Sequence, residues 1–500
     1  MSQTSFTGHG RPSREVVGLF VGPIAFVCLL VTNPFGMPAA AGAVLAATLW
    51  IAIWWVTEAV PIYVASLLPI VLFPITGVTT IAEATAPYAD PIVFLLLGGF
   101  LLALAIERWD LHERFALQVM VLAGSSARRL VLAFMLSTAV LSMWISNTAT
   151  AMMMVPIGAA VIIQFASLAD RSDDAGHIVA QADRSTADLP TSRFGLAVML
   201  GIAYGASIGG AATLIGSPPN AIFAGVAESA LGVRIGFLEW MVFAAPVSAG
   251  FLGLAWVVLL VALPPEVDRL EGHGVLADRL EQLGPMRPAE RRVLLVFGAV
   301  VTAWLARPFL LEPVAPAITD PVIAIGGAIA LFVLPAGEER EARLLAWDAT
   351  ERLPWGVLVL LGAGFSIASA FQASGLDEWI ADLVAGVGGL PLPIMIALIA
   401  AAVIFLTEIN SNTATAAVFI PVMVGIGAAV GIDPMIPMAV TALAASYAFM
   451  LPVATPPNAI VFGSGYMTVP QMARIGVWLN LLAIVLVVLV ATVWLPTALG

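Results

Sequence analysis

Ser146-Asn147-Thr148-Ala149-Thr150-Ala151 returns, letter for letter, as Ser411-Asn412-Thr413-Ala414-Thr415-Ala416, 265 residues further on. The repeat extends outward from this phrase in both directions. Upstream, Leu97-Gly98-Gly99-Phe100 resembles Gly362-Ala363-Gly364-Phe365, and the two phenylalanines keep the 265-residue offset. Downstream, Gly216-Ser217-Pro218-Pro219-Asn220-Ala221-Ile222 resembles Ala454-Thr455-Pro456-Pro457-Asn458-Ala459-Ile460 at an offset of 238. The lost 27 residues match the polar connector 165–194, so one insertion in the first half accounts for the change of register. Thr57-Glu58 and Thr350-Glu351 look alike but lie outside this register and are not part of it.

Composition says what medium the repeat sits in. Of 500 residues, 61% are hydrophobic and only 10% charged, where soluble domains carry roughly 25%. Mean hydropathy is +1.02. Apolar runs of about 17–25 residues, the length a helix needs to cross hydrocarbon, recur along the chain. The period-two alternation of a membrane β-barrel is absent. The fold class is therefore an all-α polytopic membrane protein. Expected segments are 16–32, 39–57, 61–76, 91–107, 195–230 (broken), 240–263, 291–311, 318–335, 354–372, 435–466 (broken) and 474–497, with hairpins at 130–164 and 391–429. That makes about 11 transmembrane helices plus two re-entrant hairpins. Polar connectors fall at 165–194, 264–290 and 336–353, and 108–127 reads either as an amphipathic surface helix or as a polar loop. Trp50, Trp54, Trp55, Trp240 and Trp494 are expected as anchors at the membrane–water interface.

The charged residues exclude several functions. Net charge is −12, carried mostly in loops, and all 20 basic residues are arginine. With no lysine there is no Schiff-base chemistry. No basic patch interleaved with aromatics supports nucleic-acid binding. Cys28 is the single cysteine, and His9, His112, His177 and His273 are scattered, so neither a disulfide framework nor a thiol or histidine metal cluster is expected. Titratable groups do not converge as an enzyme site requires, and no organic cofactor is expected. The stretch from Val16 to Val31 lacks a trusted cleavage pattern and reads as a retained first helix after a polar tail, 1–15. With the N-terminus in the cytoplasm and each hairpin returning to its own side, 18 of the 20 arginines fall inside and only Arg234 and Arg307 outside. The positive-inside rule favours this arrangement in the plasma (inner) membrane, with the C-terminus outside. The first hairpin then enters from the cytoplasm and the second from outside, so the repeats are inverted, a signature of secondary transporters.

Each hairpin arm has roughly 16 residues, which at about 1.5 Å per residue reaches about 24 Å, short of a core of roughly 30 Å. The polar tips are thus expected near the midplane, where they are tolerated only lining a cavity or buried in protein. The Pro-Pro phrases must interrupt their helices. Four interruptions would meet there. Helix N-termini offer free N–H groups to carboxylate oxygens. Asn, Ser and Thr side chains offer donors to an anion and oxygens to a cation. No arginine lies in this centre, so sodium ions would supply the countercharge to a dianion. The bland alternative is that small hydroxyl residues merely allow helices to pack closely; two copies, each followed by a Pro-Pro-Asn break, outweigh it. Glu408 beside the second tip is either a hydrogen-bonded structural acid or a cation or proton site. Met152-Met153-Met154 reads as packing.

These paired Ser-Asn-Thr phrases, the Pro-Pro-Asn phrases and Trp55-Val56-Thr57-Glu58-Ala59-Val60-Pro61 resemble the divalent anion:sodium symporter family, over residues 16–497. The resemblance implies a homodimer in the lipid bilayer, with a scaffold part (16–127 and 291–390), a transport part (128–263 and 391–500) moving as an elevator, and a cytoplasmic linker, 264–290. It implies a first sodium site at Ser142, Ser146, Asn147 and the Gly216 carbonyl, and a second at Thr407, Ser411, Asn412 and the Ala454 carbonyl, so at least two Na⁺. Ser142 and Thr407 each lie four residues before their motif serine, one helical turn away. Substrate carboxylates would meet Asn147, Thr148, Ser217, Asn412, Thr413 and Thr455. Serine at both motif starts resembles carriers of small C4-dicarboxylates such as succinate, malate or fumarate. Some members of the family exchange anions without sodium; the intact ligand positions favour a symporter. Exchange, sulfate or citrate carriage, and a channel are the competing readings.

Overall fold

Uninterrupted apolar runs leave the backbone no partner but itself, and the chain answers with helices. A computed structural model describes residues 14–173, 192–266, 274–337, 342–384 and 390–498. Among them there are helices and turns, with one isolated β-bridge, Pro335 to Arg343. Among the described residues nine helices are long and apolar enough to cross a membrane, among them Arg14–Thr32, Ala39–Thr57, Phe237–Ala262 and Val469–Trp494. Two expected spans are shorter than the sequence predicts. The 61–76 segment is two pieces, Ile62–Ala65 and Leu68–Ile75, and the division falls just before Pro69, which lies in the first turn of the second piece. The 318–335 segment is helical only over Asp320–Val333.

Both hairpins form. The first has arms Ala127–Ser142 and Asn147–Asp173, the second Leu392–Thr407 and Asn412–Val430, and four residues turn each corner. Both broken helices form as well: Arg193–Gly210 with Pro218–Leu231, and Met435–Ser446 with Pro456–Gly463. Each Pro-Pro pair opens its second fragment at the first helical turn, where a missing N–H costs nothing and the fixed φ suits a helix.

Glycine sets the spacing of the first half. Gly201, Gly205 and Gly209 line one face of Arg193–Gly210 against the first hairpin arm. A Cβ on Gly205 would stand 2.8 Å from the Met135 carbonyl oxygen, and one on Gly209 only 2.2 Å from that of Ala139. The two backbones therefore touch, as small residues permit in membrane helices. The halves also exchange partners. The second arm of the first hairpin, Asn147–Asp173, packs on Pro456–Gly463 of the second half. Reciprocally, Asn412–Val430 packs on Pro218–Leu231 of the first.

Of the two readings for 108–127, the helix is the one that forms, over Leu111–Ala123. His112, Arg114, Leu117 and Met120 are buried on it. Arg114 explains its burial: its Nε donates to Glu290 at 2.7 Å and its guanidinium reaches the Gly284 carbonyl at 2.9 Å. A buried ion pair needs such saturation to survive desolvation. Residues 274–290 of the connector are thus docked, and Arg279 adds a bond to Glu113 at 2.9 Å. Residues 174–191 of the other polar connector and the first 13 residues of the tail lie outside the described residues. Two tryptophans correct the interface expectation: Trp55 is 1% exposed and Trp240 0%. Their indole N–H groups donate to the carbonyls of Ile62 and Ala211, so both are internal struts.

Candidate functional site

At the first tip, Ser142 closes one arm and Asn147 opens the next. Ser146 between them accepts from the Ala149 N–H at 3.3 Å, capping the second arm. Ser142 Oγ lies 2.8 Å from the Ala206 carbonyl oxygen, on the neighbouring broken helix. The inner end of the Asn147 amide lies 3.1 Å from Ala206 O, 3.2 Å from Gly216 O and 2.5 Å from Ser142 Oγ. With its nitrogen turned inward the amide donates to all three. With its oxygen inward, four oxygens converge, and only a cation would hold them together. Glycine is required here: a Cβ on Gly210 would meet the Asn147 amide oxygen at 2.2 Å, and one on Gly216 the Gly210 carbonyl at 2.6 Å.

The second tip repeats this geometry. Thr407 Oγ1 lies 2.8 Å from Asn412 Oδ1 and 3.3 Å from Ala445 O. Ser411 caps its arm by accepting from Ala414 N–H. One hydroxyl proton cannot serve both oxygens fully, so at this tip one of the two acceptors faces a hydroxyl lone pair. The Ala454 carbonyl makes no described contact with Asn412, unlike Gly216 at the first tip; its own N–H donates to Leu451 O at 3.2 Å.

The asparagines of the two Pro-Pro-Asn phrases have a role that the sequence alone does not assign. Asn220 Nδ2 reaches the carbonyls of Gly210, Ala211 and Thr213 at 3.1, 3.2 and 2.7 Å. Asn458 Nδ2 reaches those of Ala448 and Leu451 at 3.1 and 3.0 Å. Unwound carbonyls inside a membrane protein need donors, and these two buried amides supply them. The signal was present, since each asparagine follows its Pro-Pro pair. Glu408 proves to be hydrogen-bonded: Phe449, Met450 and Leu451 donate their backbone N–H groups to it and Asn480 its amide.

The two tips are linked through the breaks. Ser217 Oγ lies 3.1 Å from Ser446 Oγ, joining the residue after Gly216 to the residue after Ala445. Tyr204 donates to the Phe449 carbonyl at 3.1 Å. Of the residues expected to meet carboxylates, Asn147, Thr148, Asn412 and Thr413 are half-buried in the first turns of the second arms. Ser217 and Thr455 are buried N-caps of the distal fragments, Thr455 accepting from Asn458 N–H at 3.2 Å. Every side chain in these networks is neutral except Glu408. Among the described residues no group of three or more His, Cys, Asp or Glu gathers to hold a metal.

Comparison with known proteins places this architecture. The family profile described as "Sodium:sulfate symporter transmembrane region" matches residues 15–499. A "Sodium-dependent dicarboxylate transporter SdcS" of Staphylococcus saprophyticus is 40% identical over 492 residues, covering 97% of this chain and 92% of that protein. The protein of the same name from Staphylococcus aureus strain USA300 is 39% identical over the same length and shares. Among solved structures, the Alcanivorax borkumensis YdaH transporter shares the fold with a TM-score of 0.58 at 14% identity, over 97% of this chain and 99% of that one. Neisseria gonorrhoeae MtrF gives 0.56 at 14% identity, over 97% and 96%. With a profile spanning nearly its whole length and relatives at this identity, the chain belongs to the sodium:sulfate symporter family, the divalent anion:sodium symporters, and is a membrane transporter rather than an enzyme.

Proposed function

We propose that this protein is a secondary active transporter that carries C4-dicarboxylates of the succinate, malate and fumarate class together with sodium ions. The observation that carries the reading is the cluster at the first tip: three oxygens, Ser142 Oγ, Ala206 O and Gly216 O, lie within 3.2 Å of the inner end of the Asn147 amide. Hard cations of sodium's kind take such oxygen ligands. The matching Thr407, Asn412 and Ala445 group supports a second site, with Ser411 as its cap. Relatives named as sodium-dependent dicarboxylate transporters point the same way. Between the sites, the first turns at Asn147-Thr148 and Asn412-Thr413 turn free N–H groups and hydroxyls toward a dianion, while Ser217 and Thr455 set the ends of the distal fragments.

The chemistry then couples the cargoes. A dianion meets no arginine in the described tip networks, so bound sodium ions are its countercharge. Each cargo strengthens binding of the other by the same factor. Moving one elementary charge across 100 mV changes the energy by about 2.3 kcal/mol, and two or more Na⁺ per dianion cancel or reverse the cost of entry. We assign the motion to an elevator in a homodimer with inverted repeats. The transport part is 128–263 and 391–500, the scaffold 16–127 and 291–390, and the cytoplasmic side is set by the arginine asymmetry.

The test is uptake of labelled succinate by proteoliposomes with and without an inward sodium gradient. Sodium-driven accumulation, displaced by malate and fumarate but not by equal sulfate or citrate, is expected. Uptake indifferent to sodium would overturn symport in favour of exchange.

A further inference from the structure

The two breaks differ where the repeat says they should match. The first spans seven residues, 211–217, and the second nine, 447–455. In the first, the N–H groups of Ala211 and Ala212 both turn back to the Gly209 carbonyl, so the helix end closes on itself. In the second, the N–H groups of Phe449, Met450 and Leu451 point instead at the Glu408 carboxylate, at 2.7, 2.9 and 3.0 Å. Asn480 Nδ2 completes the set at 2.7 Å. The physical reason is the shorter helix. Unwinding two more residues releases donors in a region where water cannot serve them, and a carboxylate can accept several at once. In the 265-residue register, the counterpart of Glu408 is Met143, whose side chain can accept none of these. There the Thr213 hydroxyl donates to the Met143 carbonyl instead.

One difference in folding thus leaves one difference in charge. Glu408 is 3% exposed, follows Thr407 directly, and holds by their N–H groups the stretch whose Ala448 and Leu451 carbonyls Asn458 holds from the other side. The described contacts of the first site come only from neutral oxygens. We infer that Glu408 is a positioning residue that gives the second cation site a fixed negative charge, so that sodium fills this site first and is held there more tightly than at the Ser142–Asn147 site. At an effective dielectric near 20, a single negative charge within roughly 12 Å favours a cation about tenfold or more. The inference rests on the two-sodium reading above and refines it.

Two experiments on the full-length protein test it. Without dicarboxylate, sodium is titrated against the thermal unfolding midpoint. Wild type should show two stabilising steps, with Thr407→Ala losing the tighter and Ser142→Ala the weaker. Loss of the tighter step in Ser142→Ala would overturn the assignment, and this arm leaves Glu408 untouched should its variants fail to fold. In proteoliposomes, Glu408→Gln keeps an acceptor for Phe449, Met450 and Asn480 but removes the charge. Its half-saturating sodium concentration should rise about tenfold or more, with succinate KM at saturating sodium changed far less, and Glu408→Asp should recover most of the sodium affinity. A carboxylate with a purely structural role would lower the rate at every sodium concentration and leave the half-saturation point where it was. That outcome defeats this inference alone. Wild-type protein showing neither sodium-dependent uptake nor sodium stabilisation would defeat the symport reading itself.

Discussion

The two hairpin tips are near copies, and the two breaks they face are not. Ser142 and Asn147 stand to Ala206 as Thr407 and Asn412 stand to Ala445. Behind them, the first break is held by a turn, by Thr213 and by Trp240, and the second by Glu408 and Asn480. The atoms that would touch cargo are reproduced, and the atoms that hold them are improvised locally. Each half packs against different neighbours, so the same geometry has to be supported by different side chains.

The comparison can be broken most decisively at the tips. Asn147→Ala and Asn412→Ala should each reduce succinate uptake about a hundredfold or more, since each removes a proposed ligand from one of two coupled sites. Size-exclusion profiles and melting curves should show folded protein. Normal uptake in either variant would mean that the copies are not equivalent in function.

Smaller effects sharpen the contrast between the breaks. Asn220→Leu and Asn458→Leu strip donors from buried carbonyls and should each cost about 1–3 kcal/mol of stability. The larger fall in melting midpoint is expected at Asn220, which serves three carbonyls against two. Smaller still, Trp240→Phe removes one bond to Ala211 O and should cost about 1 kcal/mol. Its effect should be confined to the first break, leaving the tighter sodium step unchanged in the thermal titration.

The sequence displays its repeated phrases openly because they are long, identical and out of place in apolar surroundings. Hairpins, breaks and the residues at the tips could all be read from them. What stayed hidden depends on partners distant in the chain. Trp55 and Trp240 carry the composition of interface anchors, yet their burial depends on which carbonyls lie opposite, at Ile62 and Ala211. Glu408 offered two roles until Asn480, 72 residues on, and three backbone donors fixed one set of partners. The division of 61–76 was legible in its prolines, but hydropathy alone runs through them.

The exchange of partners between halves has a consequence for biosynthesis. Asn147–Asp173 leaves the ribosome about 280 residues before Pro456–Gly463, the fragment it packs against. At roughly 5–20 residues per second, that arm waits about 15–60 s in the bilayer before its second-half partner arrives. A nascent chain released before its closing segments would keep that helix face unpaired for good, which is the kind of lesion membrane quality control can recognise.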